Sequence, residues 1–234
     1  MLERQSALAA VLGHGGRNGA DGKRRLKLGE QRGWSLTQLA GFAATLGELG
    51  QLVQALFGVE LPAKIGEAAP AASHQLLKIG PEQFWILGPR QDDLALGLQA
   101  EVPPAIGAVT PLSHSRTRIF VEGEAARELL AKGISLDLHP DVFRVRQFAL
   151  TGLHHTPVLL LRSAADHYEI FAMRSFALAV WDWLADAAMP LGYDLAAGDQ
   201  AGRTQSAPDP GQAGHALLAC DVLARNMSRI AGMS

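Results

Sequence analysis

Val158-Leu159-Leu160-Leu161-Arg162 and His167-Tyr168-Glu169-Ile170-Phe171-Ala172-Met173 are two apolar runs of strand length, separated by Ser163-Ala164-Ala165-Asp166. Small and polar residues between two such runs mark a hairpin. A third run, Gln147–Gly152, precedes them across His154-His155-Thr156-Pro157, so three strands are predicted in succession. Phe176 to Ala187 then changes to a helical period, with a stripe of Phe176, Val180, Trp183 and Leu184 and with Trp181 on its flank. Upstream, Ser115–Val121 alternates, with Thr117, Ile119 and Val121 on one face, and Gly123 turns the chain into a helix over Glu124–Ala131. Glu122 and Glu124 suit that helix's N-terminus, and Lys132-Gly133 reads as its C-cap. Ile134–His139 is a connector ending at Pro140.

A similar order is legible nearer the N-terminus. Ser35–Ala43 reads as a strand, and Leu46, Leu49, Leu52, Val53, Leu56 and Phe57 form one face of a helix ending near Gly58. Leu61 to Ala72 reads as loop. Gln75–Ile79 and Phe84–Leu87 form a hairpin across Gly80-Pro81-Glu82-Gln83, where proline presets φ. Gln91–Leu98 reads as a short helix, Pro103-Pro104 as a break, and Val109 as the start of the second unit. The expected fold is therefore α+β: two strand–helix–hairpin–helix halves over residues 34–190, with antiparallel sheets covered on one face. Outside this core, residues 1–33 are expected to be a flexible arm. Their glycines resemble a phosphate-binding loop, but no strand precedes them and a Lys/Arg cluster follows. Residues 191–214 read as a linker, and residues 215–234 as a C-terminal helix striped by Leu218, Val222, Leu223, Met227 and Ile230. A lone short helix is marginal in water, so it should dock.

Composition narrows the function classes. The chain has 234 residues, 21 Lys+Arg against 23 Asp+Glu, and 48% hydrophobic residues. A chain this apolar is not expected to be disordered, and its formal net charge of −2 lacks the basic excess of a nucleic-acid binder. No apolar stretch reaches the ~18 residues that span a bilayer. The N-terminal apolar run is short with no basic region before it, so neither a secretory signal nor a membrane anchor is expected and the expected compartment is the cytoplasm. A single cysteine, Cys220, forms no internal disulfide and reads as a small buried hydrophobe.

Eight histidines are present: His14, His74, His114, His139, His154, His155, His167 and His215. None is paired at i, i+4 as in a helical metal site. His154-His155 falls on a predicted hairpin tip, and Ser113-His114 lacks both a nucleophile elbow and a third orienting group. Trp34 and Trp85 read as core anchors. Trp181 and Trp183 lie about 200° apart on their helix, so one is expected to face a partner. No catalytic, cofactor-binding or metal-ligating residue is assigned.

Leu112-Ser113-His114-Ser115-Arg116-Thr117, the stretch from Gly123-Glu124-Ala125-Ala126-Arg127 to Asp137-Leu138-His139-Pro140, and Met173-Arg174-Ser175-Phe176-Ala177 with Trp181-Asp182-Trp183-Leu184 together resemble the gamma subunit of heterotetrameric sarcosine oxidase. Weaker similarity runs back through Gly80-Pro81-Glu82-Gln83-Phe84-Trp85 to Trp34. The resemblance implies a fold like the N-terminal folate-binding domain of glycine-cleavage aminomethyltransferases. It implies alpha, beta and delta subunits as partners, with FAD, FMN, NAD, zinc and tetrahydrofolate held on those other subunits. It implies oxidative demethylation of sarcosine, with the one-carbon unit passed to tetrahydrofolate, by an assembly in which gamma is a non-catalytic structural subunit. A related N-methylglutamate dehydrogenase and a free-standing folate-binding or aminomethyl-transfer protein are the alternatives. Where the resemblance leads one to expect a Pro-Gly after Asp137-Leu138-His139-Pro140, this chain has Phe143-Arg144-Val145-Arg146.

Overall fold

The computed structural model describes residues 5–13, 15–90 and 94–196. His14, His215, Cys220, the start of the helix expected at Gln91, most of the expected linker and the whole expected C-terminal helix lie outside the described residues. The chain divides into two compact units: residues up to 33 together with 113–196, and residues 34–112 between them.

The first unit opens with β1 (Gly15–Arg17) and β2 (Leu26–Glu30). The stretch expected to be a flexible arm thus holds a strand whose Leu26 and Leu28 are buried, and Leu8 packs in the same core. The two leucines alternate across Lys27, but the signal is only two residues long inside a Gly/Lys/Arg run. The chain then builds the second unit from β3 (Trp34–Gly41), α1 (Leu46–Phe57), β4 (Ala68–Ala71), β5 (His74–Gly80), β6 (Gln83–Pro89), α2 (Leu94–Glu101) and β7 (Gly107–Pro111). It returns with β8 (Arg116–Glu122), α3 (Ala126–Ala131), β9 (Phe148–Leu153), β10 (Thr156–Ala164), β11 (His167–Met173), α4 (Ala177–Ala188) and β12 (Tyr193–Ala196).

The half-repeat is therefore present and longer than expected: strand, helix, three strands, helix, strand. Sheet order repeats as well, β4-β5-β6-β3-β7 in one unit and β9-β10-β11-β8-β2-β12-β1 in the other, where β2 is inserted before the closing strand. Pairing is antiparallel except between β12 and β2. Three expectations change. Ala68–Ala71, within an expected loop, is an edge strand. Val109 does not open the second half but lies in β7, which pairs with β3 and closes the first. Tyr193–Ala196, within the expected linker, is β12. All three are short or rich in Gly, Pro and Ala, so they carry little alternation to read.

In residues 34–112, Leu49, Val53 and Leu56 of α1 and Leu94 and Leu98 of α2 pack on Leu39, Leu76, Phe84 and Ile86. Gly58 ends α1 at φ +70°, and its N–H donates to the Gln54 carbonyl at 2.9 Å. In the first unit, α3 and α4 pack on Ile119, Val121, Leu160, Tyr168 and Ile170. Residues Tyr168–Ala172 of β11 are buried at consecutive positions, so this strand is buried on both faces rather than on the one expected.

The α4 stripe also differs from the reading. Trp181 is 4% exposed and belongs to the core with Ala177, Val180 and Leu184, whereas Phe176 is 42% exposed. Trp183 packs beside that core over Gly133, where a Cβ would stand 2.4 Å from its ring. Gly133 is needed for that approach and not for a left-handed cap. Both tryptophans thus pack within their own unit, Trp181 buried in the core and Trp183 half-buried beside it.

Replacing Leu28 with Ala is expected to cost about 2–5 kcal/mol in a urea titration. A loss under about 0.5 kcal/mol, typical of surface changes, would contradict the placement of β2 in the core.

Candidate functional site

Polar side chains inside this fold sit where the strands put them. Arg118 on β8 and Glu169 on β11 share the sheet face away from α3 and α4, with Phe171 opposite Arg118 and Phe120 opposite Glu169. Arg118 Nε donates to Glu169 Oε2 at 3.0 Å, and its Nη2 reaches both carboxylate oxygens at 2.8 and 2.7 Å. The Arg118 guanidinium lies 5.4 Å from the Phe171 ring centroid. His167 stacks on Phe120 at 5.6 Å, with Nδ1 3.6 Å from Glu122 and Nε2 3.8 Å from Glu169. This is the densest charged cluster described, and its carboxylate is already saturated by a two-pronged arginine.

Arg162 on β10 is buried without a carboxylate partner among the described residues. Its Nη1 donates to the Phe143 carbonyl at 2.6 Å, its Nη2 and Nε to Ala165 at 2.6 and 3.2 Å, and its plane lies 5.6 Å from the Tyr168 ring. Burial raises the Tyr168 phenol above its usual value, against the pull of Arg162. The sequence reading missed Arg118, Arg162 and Glu169. The available signal was a lone charge inside an apolar strand, which must be paired if buried.

The histidines are scattered. His114 is exposed on the turn before β8 and His139 is exposed beside Asp141 at 3.5 Å. His154 and His155 form the two-residue turn between β9 and β10, with ring centroids 3.9 Å apart, and His154 stacks on Trp183 at 6.2 Å. His74 is buried edge-on against Phe57 and beside Gly88, where a Cβ would stand 2.3 Å from its ring. Its Nδ1 is 3.1 Å from Ser73 Oγ and its buried Nε2 has no partner. Burial lowers its pKa from 6.5. Trp34 and Trp85 are buried, Trp85 donating to Gln38 at 3.2 Å. Among the described residues no three His, Cys, Asp or Glu side chains converge as metal ligands, and no helix is long and apolar enough to cross a membrane.

Residues 25–190 match the family described as "Sarcosine oxidase, gamma subunit family". The chain belongs to this family. The match begins at Arg25, so it takes in β2. Sarcosine oxidase subunit gamma of Corynebacterium sp. (strain U-96) is 36% identical over 153 residues, spanning 64% of this chain and 74% of that one. The subunit gamma of Arthrobacter sp is 34% identical over 149 residues, spanning 63% and 73%. Among solved structures, the heterotetrameric sarcosine oxidase from Corynebacterium sp. U-96 in complex with pyrrole 2-carboxylate aligns with TM-score 0.70 and 31% identity, over 80% of this chain and 96% of that one. Glycine cleavage system aminomethyltransferase T from Bartonella henselae aligns with TM-score 0.57 at 15% identity, over 74% of this chain and 48% of that one. The latter shows a shared fold, in agreement with the α+β architecture expected from the gamma-family resemblance.

Two outcomes follow from this geometry. Glu169→Ala leaves the Arg118 guanidinium without its counter-charge and is expected to cost about 3 kcal/mol, while Arg118→Met/Glu169→Leu together costs far less. Equal losses in the single and double variants would contradict a structural ion pair. For His74, the folded pKa lies below the unfolded value, so the unfolded chain binds more protons between the two. Stability is therefore full above about pH 6.5 and falls as pH drops through the folded pKa. His74→Leu is expected to flatten that part of a urea-stability profile, and an unchanged slope would contradict it.

Proposed function

We propose that this chain is the structural gamma subunit of a heterotetrameric sarcosine oxidase, assembled with alpha, beta and delta subunits in the cytoplasm. The family match over residues 25–190 carries this reading. The fold likeness to a chain of the Corynebacterium enzyme over 96% of that chain supports it. In this reading the complex demethylates sarcosine oxidatively and passes the one-carbon unit to tetrahydrofolate. FAD, FMN, NAD, zinc and the folate are held by the other subunits, and this chain supplies none of the reacting groups. The geometry is consistent with that role: Glu169 and Arg118 satisfy each other, Arg162 is spent on backbone carbonyls, and the described histidines are spread among separate elements apart from the neighbours His154 and His155.

Co-expression with the alpha, beta and delta chains is the direct test. A tag on this chain is expected to retain a yellow complex that oxidises sarcosine, while the chain purified alone is colourless. A stable chain that ignores those three subunits, or one that binds tetrahydrofolate and turns over alone, would overturn the proposal.

A further inference from the structure

The segment between α3 and β9 is unusually well fixed for an exposed loop. The Val142 and Phe143 N–H groups donate to the His139 carbonyl at 2.9 and 2.8 Å, and Phe143 is buried. Arg144 to Gln147 then form a tight turn, with the Gln147 N–H on the Arg144 carbonyl at 3.0 Å and the Arg144 N–H on Gln147 Oε1 at 2.6 Å. Arg146, third in that turn, has φ +70°, the conformation a type II turn reserves for glycine or asparagine. Its N–H donates to Arg162 O at 2.7 Å, while the Arg162 N–H donates to Gln147 O at 2.9 Å. Two residues therefore oppose one, a bulge whose first position again favours glycine. The buried Arg162 guanidinium pins the loop from below through the Phe143 carbonyl.

This scaffold presents side chains that the fold leaves exposed. Val142 is 57% and Val145 44% exposed, and Leu150 on the adjoining strand β9, a sheet edge, is 57% exposed. Arg144 and Arg146 are exposed and make no ion pair among the described residues. The neighbouring carboxylate, Asp141, lies against His139 and gives Arg144 only its backbone carbonyl at 3.2 Å. An arginine held where glycine costs less is strain, and strain of this kind collects at binding and switch sites.

We propose that the Arg144–Arg146 turn at the head of edge strand β9 is a docking surface for a carboxylate-bearing segment of a partner subunit. This rests on the subunit reading above. Two guanidiniums on a rigid turn match carboxylates in a fixed geometry, and preorganisation removes the ordering cost of binding. The interleaved valines fit a polypeptide surface rather than a phosphate backbone.

The co-expressed complex tests this with two variants. R144E/R146E reverses both charges and is expected to weaken retention on a tagged partner about tenfold or more, most strongly at low salt. R146G relieves the positive φ, so it is expected to raise the chain's melting temperature while still weakening retention. A purely structural Arg146 would change melting alone. If the wild-type chain assembles and R144E/R146E assembles equally well, the surface is wrong and the subunit reading stands. If the wild-type chain does not assemble, both fall. Nucleic acid copurifying with the wild type and lost from R144E/R146E would also overturn the assignment.

Discussion

A carboxylate in the middle of a strand buried on both faces is the constraint that organises the seven-stranded sheet. Removing Glu169 from water costs several kcal/mol unless an opposite charge accompanies it. Arg118, diagonal to it on β8, supplies that charge through two prongs. A one-residue slip between β8 and β11 would send one partner to the helix-covered face and leave both charges unmet. The ion pair therefore rejects wrong registers, and the strands on either side inherit the frame. It also occupies the strongest acid–base candidate in the unit.

Legibility followed signal length. The helical period sustained over the twelve residues of α1 and the long apolar runs of β10 and β11 were plain, because burial of a whole face repeats the same instruction several times. β2, β4, β7 and β12 were not, because strands of four or five residues holding Gly, Ala or Pro repeat it once or twice. Their positions are set by neighbours: β2 by β8, β12 by β2, β7 by β3. The tryptophans show a different failure. The α4 period correctly separated Trp181 from Trp183, but the choice between them depended on Gly133, a residue fifty positions away with no side chain to announce itself.

The candidate surface was legible only as an oddity. Phe143-Arg144-Val145-Arg146 stood out as a departure from an expected Pro-Gly, and the structure gives the reason such a pair would suit the place. Val145 and Arg146 fill the two central positions of a turn whose third residue is left-handed. Arg162 carried a signal as a lone charge ending an apolar run, but its partners were not legible, since they are backbone carbonyls on two separate loops. Repeated architecture explains how one scaffold supports this: each unit completes its own core with two helices, leaving turns and sheet edges free to vary.

The central claim is that charges inside this chain build a subunit and take no part in the reaction. Sarcosine turnover per flavin in the assembled complex carrying Arg118→Met/Glu169→Leu measures this most directly. The account predicts turnover equal to that of the wild-type complex. A complex that assembles and retains its flavins but loses turnover would contradict it.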